Sequence, residues 1–153
     1  MKMYLLRHGE YDFDTGKLDD VGKEHARMTG QKLAGNVQRV ISSTTKRAVQ
    51  TAKTANAADD IKVEIRKEFA EHGSSSDSGV SRLSRRKRRG IEKRWSTLKR
   101  ELLEDGRDVL IVSHLPVVEF ILIDCGMEAP DVNYCSCFCI EFKGEGVISV
   151  NEI

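Results

Sequence analysis

The amino-acid sequence predicts an α/β protein with a mostly parallel sheet. Short apolar runs alternate along the chain with segments whose apolar residues recur every three or four positions, which is typical of strands alternating with amphipathic helices. The run 109–112 is apolar without interruption, as expected for a strand that is buried on both faces. A chain of 153 residues, 39% of them apolar, is long enough to bury one continuous core. No internal repeat or second domain is visible, so we expect a single domain over residues 1–153.

The first half of the chain predicts three strands and two helices. The first helix starts near Asp20 and ends before Gly35, and the second follows the hydroxyl-rich capping segment 42–45. The strands are expected at 3–6, 38–42 and 61–65.

The second half predicts two further helices and three further strands. Residues 71–81 are rich in Ser and Gly and are expected to form a loop. A long amphipathic helix that ends near Gly106 is predicted because apolar residues recur at spacings of four, three and four, at Ile91, Trp95, Leu98 and Leu102. The remaining elements are the strand 109–112, a helix that begins at Pro116 and stops at Gly126, and the strands 135–142 and 147–151.

Charge is segregated along the chain, although the net charge is only +1. Residues 82–100 hold ten Lys or Arg and one acid, which makes this segment +9 and the rest of the chain −8. Two interpretations stay open: a surface that steers polyanionic or phosphoprotein substrates, and a solvated, partly disordered charge run that precedes the helix at Ile91. Nucleic acid is a less favoured partner, because no aromatic residues that could stack on bases are interleaved with the run 82–89.

Neither the apolar runs nor the cysteines indicate a membrane or a metal. No stretch approaches the ~20 apolar residues of a membrane span, and the apolar run at the N-terminus is too short for a signal peptide. We therefore expect a cytoplasmic protein with reduced cysteines. Cys135, Cys137 and Cys139 alternate along a predicted strand and would share one face, as small buried hydrophobes rather than metal ligands. We expect no metal and no cofactor.

Three segments with related chemistry each follow a predicted strand: Arg-His-Gly-Glu at 7–10, Ser-Ser-Thr-Thr-Lys-Arg at 42–47, and Ser-His at 113–114. Ligands of open parallel sheets bind beyond the carboxyl ends of the strands, so we expect these segments to converge on one pocket. Guanidinium groups bind phosphate oxygens as a rigid fork, and a neutral imidazole can act as a nucleophile. The sequence therefore predicts phosphoryl chemistry at Arg7, His8, Arg47 and His114.

The same segments resemble the histidine phosphatase superfamily, which includes cofactor-dependent phosphoglycerate mutases and small bacterial phosphohistidine phosphatases. Leu-Arg-His-Gly-Glu at 6–10 matches its N-terminal motif, and 18–26 are similar to the helix start that follows it. Residues 41–52 resemble the second motif, with Thr44 where proline is usual, and Val-Ser-His at 112–114 matches the C-terminal histidine motif. The resemblance covers nearly the whole chain and implies a three-layer α/β/α sandwich like that of phosphoglycerate mutase.

The resemblance also implies roles for individual residues. His8 would be the nucleophile that becomes phosphorylated, and three side chains would bind the phosphate: Arg7, Arg47 and His114. Glu71 matches the family's proton donor, with Glu68 as the second candidate, and a solvated loop acid is the alternative for this position.

Departures from the family pattern concern substrate contacts. Tyr11 and Asp14 stand where Ser or Thr and then Asn are common, and Leu115-Pro116 stands where Gly-Gly is common, so only the Leu115 amide can donate there. The chain has no room for the insertions that close mutases over their substrates. We expect a metal-independent phosphatase that acts on phosphomonoesters or on protein phosphohistidine. A mutase-type phosphotransferase and a non-catalytic relative that binds phosphate or polyanions are the alternatives.

Overall fold

A computed structural model describes residues 1–70 and 79–153 of the chain. Its helices are α1 (Asp20–Leu33), α2 (Lys46–Ala55), α3 (Arg85–Asp105) and α4 (Leu115–Asp124), with short 3₁₀ turns at Lys67–Phe69 and Val80–Arg82. Its strands are β1 (Lys2–Arg7), β2 (Arg39–Ser42), β3 (Val63–Ile65), β4 (Val109–Ser113), β5 (Cys137–Lys143) and β6 (Gly146–Glu152). The strands form one sheet in the order β3-β2-β4-β1-β5-β6.

The predicted α/β fold is confirmed, and the sheet is parallel over the four strands that precede β5. β4 lies between β1 and β2 and is parallel to both, and β3 extends this part at its outer edge. β5 and β6 pair antiparallel to their neighbours. The turn between β5 and β6 is too short for a crossover, and a turn of that length joins only antiparallel strands.

The alternation of side chains along the central strands divides the core into two layers, which makes the fold a three-layer α/β/α sandwich. Leu5 and Ile111 face a cluster that includes the buried residues of α3 and α4. Leu6 and Val112 face the other cluster, on the side of α2 and the end of α1. All four side chains are buried, which is why both β1 and β4 are continuous apolar runs.

Helix α3 begins earlier than the sequence analysis predicts. Ser84 caps it by accepting a hydrogen bond from the Lys87 amide, and Gly106 ends it with a φ of 72°. Five basic residues, Arg85 to Arg89, therefore lie inside the helix instead of forming a charge run before it. The apolar stripe at Ile91 to Leu102 is buried as predicted.

A cluster of ion pairs joins α3 to the edge of the sheet. Arg39, at the start of β2, has only 8% of its side chain exposed and binds Glu64 through two parallel contacts of 2.9 and 2.8 Å. It also contacts Glu101 at 3.1 Å and Asp105 at 3.3 Å, both on α3. Arg66, which follows β3, binds Glu101 at 2.9 Å. Hydrogen bonding to Arg66 and then to Arg39 lowers the pKa of Glu101 to about 2.

Close backbone packing holds α1 against α2. A Cβ atom on Gly30 of α1 would lie 2.8 Å from the Cα of Ala55, at the end of α2, and would overlap its carbonyl oxygen. Glycine at this position lets the two helices approach more closely than any larger residue allows.

The C-terminal cysteines lie mostly where the sequence predicts them. Cys137 and Cys139 belong to β5, but Cys135 precedes the strand, because its φ of 56° is incompatible with extended backbone. Burial raises the pKa of the Cys135 thiol to about 12. Within 1–70 and 79–153, no group of His, Cys, Asp or Glu side chains is arranged to hold a metal ion, and no helix is long and apolar enough to span a membrane.

Candidate active site

The three predicted segments meet at the carboxyl edge of the sheet. Arg7 is the last residue of β1 and Ser113 the last of β4, and these two strands are parallel neighbours. His8 and His114 follow them directly, and their ring centroids are 5.1 Å apart. Arg47 arrives from the first turn of α2, after β2, and its Nε lies 3.1 Å from His8 Nε2. The structure therefore brings together the four residues that the sequence predicts to converge.

The contacts of His8 define which ring nitrogen faces the pocket. The side chain is fully buried, and the backbone amide donates to the Ser113 carbonyl at 2.9 Å. Nδ1 lies 2.9 Å from the Gly9 carbonyl, which can only accept, so Nδ1 carries the proton. Nε2 receives the Arg47 Nε–H and therefore presents its lone pair. An imidazole in this tautomer has the nucleophilic nitrogen that phosphoryl transfer requires.

His114 is held as a neutral ring. It is fully buried, and its Nε2 is hydrogen-bonded to the Ser43 hydroxyl at 2.7 Å. Burial lowers the pKa of His114 to about 2, and the charges of Arg47 and Arg7 act in the same direction. A bound anion would oppose the effect of these cations and raise the pKa of His114.

Two tyrosines stack on the arginines of the site. The Arg7 guanidinium lies 3.9 Å from the centre of the Tyr134 ring and donates from Nη1 to the Val132 carbonyl at 3.0 Å. The Arg47 guanidinium lies 4.5 Å from the centre of the Tyr11 ring. Stacking of this kind orients a guanidinium without neutralising it.

Sequence reasoning misses the part that the tyrosines play. Tyr11 stands out in the sequence only as a departure from the family pattern, and nothing there singles out Tyr134. Their ring centroids lie 5.3 and 5.7 Å from that of His8. Tyr134 precedes β5, more than a hundred residues from His8, and no local pattern connects the two.

Glycines and short hydrogen bonds support the loop that carries His8. The Gly9 amide donates to Thr51 Oγ1 at 3.0 Å, and this hydroxyl donates to the Arg47 carbonyl at 2.8 Å. A Cβ atom on Gly22 would overlap the backbone of Glu10, so α1 packs directly against the loop. The loop is therefore held by the Thr51 hydroxyl of α2 on one side and by the backbone of α1 on the other.

His25 also supports this loop, although the sequence indicates no role for it beyond its helix. Its Nδ1 lies 3.0 and 3.1 Å from the two carboxylate oxygens of Glu10. His25 is half-exposed and contacts the loop through Glu10.

Of the two candidate proton donors, Glu71 lies outside the described residues and Glu68 lies within them. Glu68 pairs with Arg66 at 3.3 Å, and the Arg66 hydrogen bond lowers the pKa of this carboxyl. A carboxylate that is held ionised in an ion pair is a poor proton donor, so this geometry disfavours Glu68.

The site thus combines two guanidinium groups, two buried imidazoles and a lone pair on His8 Nε2.

The sequence profile of the histidine phosphatase superfamily (branch 1) matches residues 3–101. No curated protein sequence matches the chain.

Solved structures share the fold over nearly the whole chain. The protein histidine phosphatase SixA, in complex with tungstate, is 21% identical with a TM-score of 0.76, over 99% of this chain and 94% of that one. YhfR of Bacillus stearothermophilus is 20% identical with a TM-score of 0.77, over 95% and 93%. A mutant phosphoserine phosphatase of Entamoeba histolytica, in complex with phosphoserine, is 20% identical with a TM-score of 0.69, over 98% and 96%. On the strength of the profile match and this shared fold, the chain belongs to the histidine phosphatase superfamily.

Proposed function

We propose that this protein is a phosphatase in which His8 takes the phosphoryl group from the substrate and then passes it to water. Membership of the superfamily supports phosphatase activity in general. The observation that carries the mechanism is the tautomer of His8, whose Nε2 lone pair faces Arg47 while Nδ1 is held by the Gly9 carbonyl. Phosphomonoesters and protein phosphohistidine are the proposed substrates.

The reaction has two displacement steps at phosphorus. In the first, Nε2 of His8 attacks phosphorus, the bond from phosphorus to the leaving oxygen or nitrogen breaks, and the leaving atom takes a proton. In the second, water gives a proton to the group that protonated the leaving atom and attacks the phosphohistidine, the bond between phosphorus and Nε2 breaks, and inorganic phosphate leaves. Arg7, Arg47 and His114 would bind the equatorial oxygens, where negative charge gathers in the transition state. When phosphate binds, the Arg47 Nε–H would leave Nε2 of His8 and donate to a phosphate oxygen instead.

Glu71 is the proposed proton donor, on the basis of the sequence motif. We expect Glu71→Gln to lower kcat for an alkyl phosphomonoester by ~100-fold or more, because general acid catalysis contributes factors of this size. The effect on phosphohistidine should be much smaller, since an imidazole leaves more easily than an alkoxide. Equal kcat values for variant and wild type on the alkyl ester would show that Glu71 is not the acid. Glu68→Gln is the matched control and is expected to keep its activity.

The test of the proposal is turnover of p-nitrophenyl phosphate and of a phosphohistidine peptide in the presence of a metal chelator. His8→Ala should abolish turnover of both. His25→Gln is the matched control, since it removes an imidazole that binds Glu10 of the same loop. Wild type quenched during turnover should carry phosphate in an acid-labile, alkali-stable bond at His8.

Three results would contradict the proposal. Turnover that survives in His8→Ala would exclude His8 as the nucleophile. Binding of phosphate without turnover of any substrate would indicate a binding protein, and transfer between phosphoglycerates faster than release of phosphate would indicate a mutase.

The cytoplasmic location stays a prediction, to be tested by fractionation of the cells that make the protein.

A further inference from the structure

The first half of α3 forms an exposed and strongly basic surface. We define the basic face by its exposed cations: Arg82, Arg85, Arg86, Lys87, Arg88, Arg89 and Lys93. Glu92 is the only acid between residues 82 and 100. In the part of the chain that the structure describes, no carboxylate forms an ion pair with any of these seven side chains. The basic face is therefore available to an external anionic group.

The position of these charges opposes helix stability. The N-terminus of a helix carries the positive end of the macrodipole, where acids are favourable and bases unfavourable. The first turn of α3 holds no acid and begins Arg85-Arg86-Lys87. Arg85 and Arg89 are one turn apart, at a spacing where like charges repel. Local folding energetics do not account for this arrangement, and such conflicts are expected where a surface serves binding.

The ion pairs of α3 show where the basic face lies relative to the sheet. Asp105 is level with Arg39 at the start of β2, and Glu101 reaches both Arg39 and Arg66, which follows β3. The rest of the helix, from Glu101 back to Arg85, is ~24 Å long at 1.5 Å per residue. This exceeds the remaining height of β2 and β3, so the N-terminal part of α3 extends past the carboxyl edge of the sheet, the edge at which His8 lies.

Two contacts tie the basic face to the helix that begins at His114. The Arg88 Nε–H donates to the Val80 carbonyl at 3.0 Å. The Val80 amide in turn donates to the carboxylate of Glu119, in the second turn of α4. His114 is the N-cap of α4, so the basic face and the candidate active site are both connected to this helix.

We propose that the basic face docks an acidic segment of a phosphoprotein substrate while its phosphorylated side chain enters the pocket of His8. This rests on the proposed phosphatase function and narrows its substrate class. Arginine forks pair well with carboxylates. Arg85, Arg89 and Lys93 are exposed and one turn apart along α3, and such a row of charges fits an extended acidic segment better than a single small anion. Nucleic acid fits less well. Trp95 is the one aromatic residue in 82–100, and it is buried with its indole N–H bound to Asp124.

The experiment compares matched phosphopeptides. Each peptide carries one phosphohistidine or one phosphoserine. On one side of it is a segment of six residues that are either all Glu or all Ser. This segment begins about six positions from the phosphorylated residue, a separation of ~20 Å in an extended chain. We expect wild type to prefer the acidic peptide by ~10-fold or more in kcat/KM at low ionic strength, and this preference to fall severalfold in 0.5 M salt, because salt screens steering between exposed charges.

The variant that removes docking is Arg85→Glu, Arg86→Glu and Arg89→Glu together. It keeps Arg88, which binds Val80, and it places acids where the helix dipole favours them, so α3 should remain folded. The matched control changes the net charge by the same amount at three exposed positions outside the basic face, Lys53→Glu, Lys62→Glu and Lys143→Glu. The docking variant should lose the preference for the acidic peptide with p-nitrophenyl phosphate turnover unchanged, and the control should keep the preference.

A wild type without preference for the acidic peptide, or a docking variant that keeps it, would overturn the proposal. So would a single-stranded oligonucleotide that binds the basic face more tightly than the acidic peptide does. The same phosphopeptides can be labelled with a fluorophore, and their binding to His8→Ala gives the same comparison without turnover. Loss of turnover on every substrate would refute the proposed function alone, and this binding measurement would still decide whether the basic face docks acidic peptides.

Discussion

His114 makes the stability of the fold depend on pH below neutrality, and His114→Gln tests this. The ring is fully buried, and its pKa is lowered from 6.5 to about 2. The unfolded chain takes up a proton near pH 6.5 that the folded protein does not bind until the pH is far lower. Because the unfolded state binds more protons in this window, the free energy of unfolding falls as the pH falls from 6.5.

The size of the effect follows from the gap between the two pKa values. Each pH unit below 6.5 removes about 1.4 kcal/mol, so His114 lowers the free energy of unfolding by about 2 kcal/mol between pH 6.5 and pH 5. Glutamine keeps an amide that can bond to the Ser43 hydroxyl but does not titrate. The assay is urea unfolding of both proteins from pH 8 to pH 5, followed by the fluorescence of Trp95, the single tryptophan.

The free energy of unfolding should fall more steeply with decreasing pH in wild type than in His114→Gln. Wild type should lose about 2 kcal/mol more than His114→Gln between pH 6.5 and pH 5. Other groups that titrate in this range are common to both proteins and cancel in the difference. Parallel curves would mean that His114 is protonated in the folded protein at pH 5, and the account of a neutral ring held by burial and the neighbouring cations would be refuted.

Three further predictions concern the site and the packing around it. Sulfate should bind up to ~10-fold more tightly for each unit by which the pH falls, because a bound dianion raises the pKa of His114. Calorimetry in buffers of different ionisation enthalpy should detect proton uptake on sulfate binding in wild type but not in His114→Gln. Gly30→Ala should lower the free energy of unfolding by ~1–2 kcal/mol, despite the higher helix propensity of alanine. Gln31→Ala, on the exposed side of α1, should not lower it. An unchanged midpoint of urea unfolding in Gly30→Ala would contradict the close approach of α1 and α2. Arg39→Met should cost ~2–3 kcal/mol at pH 7 and progressively less as the pH falls towards 2, because the pairing lowers the pKa values of Glu64 and Glu101 and their protonation removes it. The exposed Arg107→Met should cost under ~0.5 kcal/mol, and equal losses in urea unfolding would argue against the ion-pair cluster.

Much of the fold and the core of the site could be predicted because the signals are local. A continuous apolar run such as 109–112 identifies a strand buried on both faces, and the stripe from Ile91 to Leu102 identifies a helix. Strands that are parallel end at the same edge, so charged residues at three strand ends predict a common pocket.

The features that the sequence does not reveal depend on distant parts of the chain or on opposing local effects. Tyr134 reaches Arg7 only through the order of the strands, which no periodicity encodes. The predicted start of α3 is too late because a run of basic residues is unfavourable at a helix N-terminus and masks the capping hydroxyl of Ser84 beside it. The prediction that Cys135 lies in a strand is wrong because alternation does not reveal a left-handed backbone.

The position of β4 has a consequence for synthesis of the protein on the ribosome. β1 and β2 are made first, but they do not touch each other, because β4 pairs with both. Until residues 109–113 have been made, each of these two apolar strands has an unpaired edge facing the space that β4 later fills, and exposed edges of this kind promote aggregation. The same insertion brings His114 next to His8, so the nascent chain cannot complete its candidate active site before the centre of its sheet is closed.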